Sequence, residues 1–197
     1  MTITPHPDRA KFDHRLKDVG TSFDVEFDQT LFRFINPRHS RAADIVNGAG
    51  GLHADGRWNL KGPARVSYTA TSPETALAEA LAHVHYFRLP VAKALPRVLV
   101  GLQLKAKRVL DLRDGNVRKV LKLSEETVLK LDWRAENQKG TEAVTQAWGA
   151  AFAHAGFEAI LVPSAASAGG ANVLVFPENL LPGSRFHVLE EVKWTEN

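Results

Sequence analysis

The spacing of apolar residues changes several times along this chain, and each change marks an element. In SFDVEFDQTLFRFI (residues 22–35), Phe23, Val25 and Phe27 alternate with charged residues, the period of a half-buried strand. Asp28-Gln29 reads as a turn into a second strand at residues 31–35. Residues 66–70 form another short strand. Ser72-Pro73 then offers a capping hydroxyl followed by proline at the first helical position. Leu77, Leu81 and Val84 recur at i, i+4 and i+7, predicting the buried stripe of a helix that reaches about His85. Residues 97–104 and 109–112 read as two strands, and residues 117–131 as a helix. The clearest helix is 141–155, with Val144, Ala147, Trp148, Ala151, Phe152 and Ala155 on one face and Gly156 as its cap. The apolar runs AILV (159–162) and NVLVF (172–176) are strands separated by PSAASAGGA, and RFHVLEEVKW is a final strand. The pattern predicts an α+β domain with one core: a mixed sheet flanked by a few helices.

Residues 1–21 are polar and punctuated by proline, which predicts an N-terminal arm ahead of a domain at 22–197. The glycine-rich VNGAGGLHADG lacks the G-x-G-x-x-G fingerprint and precedes a strand, so it reads as a flexible loop and not as a dinucleotide-binding turn. Composition adds boundaries. The 197 residues suit one domain, and 25 Lys/Arg against 22 Asp/Glu leave only a mild basic excess. With no cysteine, disulfides, thiolate metal sites and cysteine nucleophiles are excluded, and a cytoplasmic location is expected. No signal peptide or membrane span is legible. Lys105, Lys107, Arg108, Arg113, Arg118, Lys119 and Lys122 could serve a nucleic-acid or nucleotide-binding module, but Asp and Glu interleave with them, as on a solvated surface. His83 and His85 point apart on a helix, so no metal site is expected.

Chemistry concentrates in GRWNLKGPARVSYTATSPETALAEALAH (56–83). If GRWN is extended, Arg57 and Asn59 share one face and Trp58 enters the core. Glu79 lies roughly 160° around the helix from Leu77, among alanines that leave room for a ligand. Arginine offers a rigid fork for phosphate or carboxylate, tyrosine a flat face and a hydroxyl, and glutamate an anion for developing positive charge. NAD⁺ combines a diphosphate, a ribose and a cationic aromatic leaving group. Cleavage of its N-glycosidic bond passes through an oxocarbenium-like state that a fixed carboxylate stabilises. Nucleotide binding of other kinds would use the same groups.

The stretch GRWN…G…Y.A.S…AL.E, with its GGL–H-A-D lead-in, resembles the RES domain family over residues 31–180. Arg33, Arg57, Tyr68 and Glu79 match the family's arginines, strand tyrosine and helix glutamate, and VPSAASAGGANVLVF places its serine at Ser164 and its asparagine at Asn172. Where many members continue with Asn-Pro and a histidine, this chain has Phe176-Pro177-Glu178-Asn179. The resemblance implies a compact ADP-ribosyltransferase-like domain whose split, mixed central sheet, flanked by helices, clasps NAD⁺ as substrate without a metal. It also implies a bacterial toxin that cleaves NAD⁺, transferring ADP-ribose to water or phosphate, held in check by a cognate Xre-like antitoxin that blocks the cleft. The alternative is a mono-ADP-ribosyltransferase acting on one cellular protein. On this basis Glu79, Arg57 and Tyr68 are the expected catalytic residues. Arg33, Arg57, Tyr68, Ser164 and Asn172 would hold NAD⁺, with Ser164 fixing the ribose or carboxamide and not acting as a nucleophile.

Overall fold

The protein is described from a computed structural model covering residues 2–19, 21–39 and 41–189. In chain order its elements are α1 (Arg9–Val19), β1 (Asp24–Ile35), α2 (Ala42–Val46), α3 (Gly50–His53), β2 (Ser67–Ala70), α4 (Pro73–Tyr86), β3 (Val98–Asp111), α5 (Gly115–Leu121), α6 (Glu125–Lys130), α7 (Trp133–Gln138), α8 (Val144–His154), β4 (Ala159–Pro163), β5 (Ala171–Val175) and β6 (Arg185–Val188). The end of the expected last strand, from Glu190, lies outside the described residues.

The strands build one mixed sheet that bends back on itself. Neighbours run β1-β2-β5-β4-β3, and β3 pairs in turn with β1, while β6 adds to the other edge of β3. Only β3 and β4 are parallel. The long β1–β3 ladder extends from Asp24↔Leu110 to Ile35↔Val98, so no turn interrupts β1 at Asp28-Gln29 and no break divides β3. The two long strands pair along most of their length, which outweighs the polar residues that suggested breaks. A register shift is absorbed where Lys107 and Arg108 bulge from β3. Both of their backbone N–H groups donate to the buried Glu158 carboxylate, at 2.7 and 2.8 Å. At the opposite end β1 and β2 share the single register pair Phe32↔Ala70, and the sheet is split there.

Apolar side chains cover both faces of the sheet, giving two packed layers in place of the expected one core. Ile160, Val162, Leu174 and Phe176 face the layer formed with Trp148 and Phe152 of α8. Ala159, Leu161, Val173 and Val175 face the layer formed with Leu31, Leu102 and Leu104. A strand buried on both faces reads as an unbroken apolar run, as AILV and NVLVF do. The result is a single α+β domain with a mixed central sheet flanked by helices.

Two further expectations are corrected. Residues 9–19 are not an arm: α1 buries Phe12, Leu16 and Val19, and Phe12 stacks on Trp148 at 4.3 Å. Its apolar residues fall at i, i+4 and i+7, a stripe diluted by the polar residues around it. The helix expected at 117–131 is divided into α5 and α6 at Lys122, which has a left-handed backbone (φ 55°).

Candidate functional site

The split between β1 and β2 opens into a cavity of about 670 Å³, within the range of small-molecule sites. A smaller lobe of about 210 Å³ adjoins it, and Arg33, Tyr68 and Glu79 line both. Arg57, Trp133 and Arg134 line only the larger lobe, and Asn172 only the smaller.

GRWN is not extended, and Arg57 and Asn59 therefore do not share a strand face. It is a tight turn in which the Gly56 N–H donates to the Asn59 carbonyl at 2.9 Å. Trp58 enters the core at 2% exposure, as its aromatic character predicts. The Asn59 amide donates to the carbonyls of Gly51, Ala54 and Leu60, and its oxygen accepts from the Tyr68 hydroxyl at 2.8 Å. That hydroxyl also accepts from the Trp58 N–H at 3.0 Å. A Cβ on Gly56 would lie 2.6 Å from the Tyr68 oxygen, so glycine is required for this approach. The turn is held from behind by α8: Gln146 donates to the Gly56 carbonyl at 2.9 Å, and Gly149 lies directly against the Trp58 carbonyl.

Arg57, carried on this turn, donates through Nη1 to the carbonyls of Leu131 (2.8 Å) and Val128 (3.3 Å) at the C-terminal end of α6. Carbonyls at the end of a helix are a natural seat for a cation, and that of Leu131 also accepts the Trp133 N–H at 3.1 Å. Burial lowers the pKa of the guanidinium, and the negative charge of Glu79 opposes that shift. Burial also raises the pKa of the Tyr68 phenol, so the hydroxyl stays neutral and serves the hydrogen bonds just described. Arg33 is engaged by the Ser67 hydroxyl at 2.9 Å and the Ile45 carbonyl at 3.3 Å.

Glu79 projects from α4, whose Ser72 cap and Pro73 start match expectation. The buried face matches only in part, at Val84. Thr75, Ala76 and Val84 are buried, whereas Leu77 is 45% exposed. The helix is turned so that its alanine and glutamate face meets the sheet, because two polar partners wait there. The Ser164 hydroxyl donates to Glu79 Oε1 at 2.6 Å and the Asn172 amide to the same oxygen at 2.5 Å. Such charge-assisted bonds are about twice as strong as neutral ones. They outweigh the cost of the Asn172 Oδ1, which is buried without a partner. Ser164 Oγ also accepts the backbone N–H groups of Ala166 and Ser167. Its hydrogen is committed to Glu79, and Ser164 is 5% exposed and outside the cavity lining, so it orients the carboxylate. Glu79 Oε2 bears no hydrogen bond to any described residue. Glu79 and Arg57 are electrostatically coupled without forming a direct ion pair, which leaves space between them.

Local sequence gave no sign that Trp133, Arg134 and Tyr86 would join this cavity. The basic residues weighed for nucleic-acid binding are largely engaged elsewhere: Lys105 with Asp28, Arg108 with Asp24, Arg113 with Asp111 and Arg118 with Glu125. Among the described residues no three His, Cys, Asp or Glu side chains cluster as metal ligands, and no helix is long and apolar enough to cross a membrane.

A mixed sheet split beside two arginines, a half-buried tyrosine and a clamped glutamate defines an α+β domain built around a cleft. The chain belongs to the RES domain family, which matches residues 30–192. Its fold is similar to a chain of the M. tuberculosis MbcT–MbcA toxin–antitoxin complex, with a TM-score of 0.69 and 22% sequence identity over 93% of this chain and 92% of that one. No curated protein matches the chain significantly in sequence.

Proposed function

We propose that the chain is the toxin of a bacterial toxin–antitoxin pair and cleaves the nicotinamide–ribose bond of NAD⁺ in the cytoplasm. The observation that carries this is the geometry of Glu79: one carboxylate oxygen is clamped by Ser164 and Asn172, and the other is free beside a cavity shared with Arg57. Arg57 and Arg33 bind the phosphates, and Tyr68 presents its ring to the nicotinamide end. The bond from ribose C1′ to the nicotinamide nitrogen breaks with its electron pair leaving on the nicotinamide. Glu79 Oε2 accepts a hydrogen bond from the ribose and offsets the charge that develops on it. Water or phosphate then bonds to C1′ and loses a proton. The fold shared with a chain of a toxin–antitoxin complex supports a cognate antitoxin partner, which the family resemblance suggests is Xre-like and covers the cleft.

Incubating the purified protein with NAD⁺ and following nicotinamide release tests this. Glu79→Gln preserves shape and is expected to lower turnover by about 10²-fold or more. Wild-type turnover in folded Glu79→Gln protein would remove the carboxylate from the mechanism, and radiolabel from NAD⁺ on one protein band would mean transfer to a protein.

A further inference from the structure

At the mouth of the larger lobe, a guanidinium lies between two aromatic rings. The Arg134 Cζ is 4.3 Å from the centre of the Trp133 ring and 4.8 Å from that of Tyr86. The Tyr86 hydroxyl donates to Asp132 Oδ2 at 2.8 Å, tying α4 to the start of α7. The Arg134 guanidinium forms no hydrogen bond or ion pair with any described residue, although the residue is half-buried in the cavity wall. A guanidinium has five donors, and here the protein engages none of them, so they are open to a ligand in the cavity. Arg57 shares the cavity and repels Arg134 electrostatically. The Asp132 carboxylate, held by the Tyr86 hydroxyl and the Ala135 N–H, and the Glu79 carboxylate offset part of this charge, but neither forms an ion pair with either guanidinium.

Two positive forks with no direct carboxylate partner, in one cavity and beside exposed aromatic surface, suit a group carrying two adjacent phosphates and a flat base. We infer that Arg134, Trp133 and Tyr86 form a second subsite, which takes the purine nucleoside phosphate half of a dinucleotide. Arg134 binds the phosphate nearer the base, Arg57 the phosphate nearer the reacting ribose, and the rim aromatics cover the purine. This deepens the proposed function and rests on it for the identity of the other half. The subsite confers selectivity for dinucleotides over mononucleotides, because nicotinamide mononucleotide reaches only as far as Arg57.

Calorimetric titration of ADP and of nicotinamide mononucleotide into wild type, Arg134→Ala and Trp133→Ala tests this, with circular dichroism to confirm folding. ADP affinity is expected to fall about tenfold in each variant, the scale of one lost hydrogen bond to a charged group. Binding of nicotinamide mononucleotide is expected to remain as in wild type. Arg134→Lys, which keeps the charge and loses the planar fork, is expected to fall between wild type and Arg134→Ala. Equal loss of both ligands, undiminished ADP binding, or failure of wild type to bind ADP would each overturn the subsite. The proposed reaction fails separately: ADP bound through Arg134 with no nicotinamide released would leave the subsite standing without NAD⁺ cleavage. Nicotinamide released with an unchanged KM for NAD⁺ in Arg134→Ala would do the reverse.

Discussion

A carboxylate acts as an electrostatic stabiliser only if it is fixed before the charge it answers appears. Glu79 meets that condition through two donors, Ser164 and Asn172, that lie 85 and 93 residues away in the chain. Removing one donor tests the arrangement more finely than removing the anion. Ser164→Ala leaves the Asn172 bond in place but frees Glu79 to rotate and deprives two loop N–H groups of their acceptor. We expect kcat for nicotinamide release to fall about tenfold with KM little changed, and stability to fall by about 1 kcal/mol in urea titration. Complete loss of activity in a folded variant would instead make the hydroxyl a direct participant. Arg57→Lys keeps a cation but cannot both hold the α6 carbonyls and present a planar fork to phosphate. Its expected signature is a raised KM for NAD⁺ in steady-state kinetics.

Arg57, Tyr68 and Glu79 were legible because they stand in one short stretch whose residue types already suggest a dinucleotide. The role of Ser164 was less legible: a strand-end serine before a glycine-rich loop signals a turn, and only the packing of α4 over β5 reveals which group it serves. Arg134 was not legible at all. In the chain it is one more cation beside a tryptophan, and nothing local says that its neighbours in space are Arg57 and Glu79.

Among the elements, α8 supports the site from behind without lining its cavity. Alanine is favoured over glycine by about 1 kcal/mol inside a helix, so Gly149→Ala would stabilise an isolated α8. Here the sign reverses, because the new Cβ would lie 1.8 Å from the Trp58 carbonyl oxygen, a backbone atom that cannot step aside. Gly149→Ala is expected to cost about 3 kcal/mol by thermal unfolding, as overpacking does, and to raise the KM for NAD⁺ by displacing the turn that carries Arg57. Helix α4 teaches the complementary lesson. Of its apolar stripe, Val84 is buried as expected, but Leu77 faces out and the side carrying Thr75 and Ala76 faces in. A hydrophobic stripe predicts the buried face only when burial is driven by apolar area, and here a hydrogen-bonded carboxylate helps to set the rotation.

Across the whole molecule, two features far from the cleft hold the fold together. The Phe12 ring of α1 stacks on Trp148, and Phe12→Ala is expected to cost about 3 kcal/mol in denaturant titration while leaving the KM for NAD⁺ unchanged. Glu158, fully buried behind the β3 bulge, accepts the N–H groups of Lys107, Arg108 and Leu181. Burial pushes its pKa up, but these backbone donors outweigh that and hold it below the ordinary value of 4.5. A depressed carboxylate stabilises the fold fully above its unfolded pKa and loses that contribution as pH falls through the folded one. Wild type is therefore expected to lose stability below about pH 4.5, and folded Glu158→Gln to show a weaker dependence across that range. A profile unchanged by the substitution would mean that other carboxylates control acid unfolding.

From the sequence alone came the short apolar strands, the capped start of α4, the amphipathic α8 and the group of residues that resembles the RES family. These are local properties: periodicity, capping chemistry and residue type over short spans. The closure of the sheet, the packing of α1, the phase of α4, the Ser164–Asn172 clamp and the place of Arg134 depended on tertiary structure. Each is a contact between segments distant in the chain, selected by how buried polar groups find partners once the strands have paired. Periodicity along one segment carries no record of which partner another segment supplies.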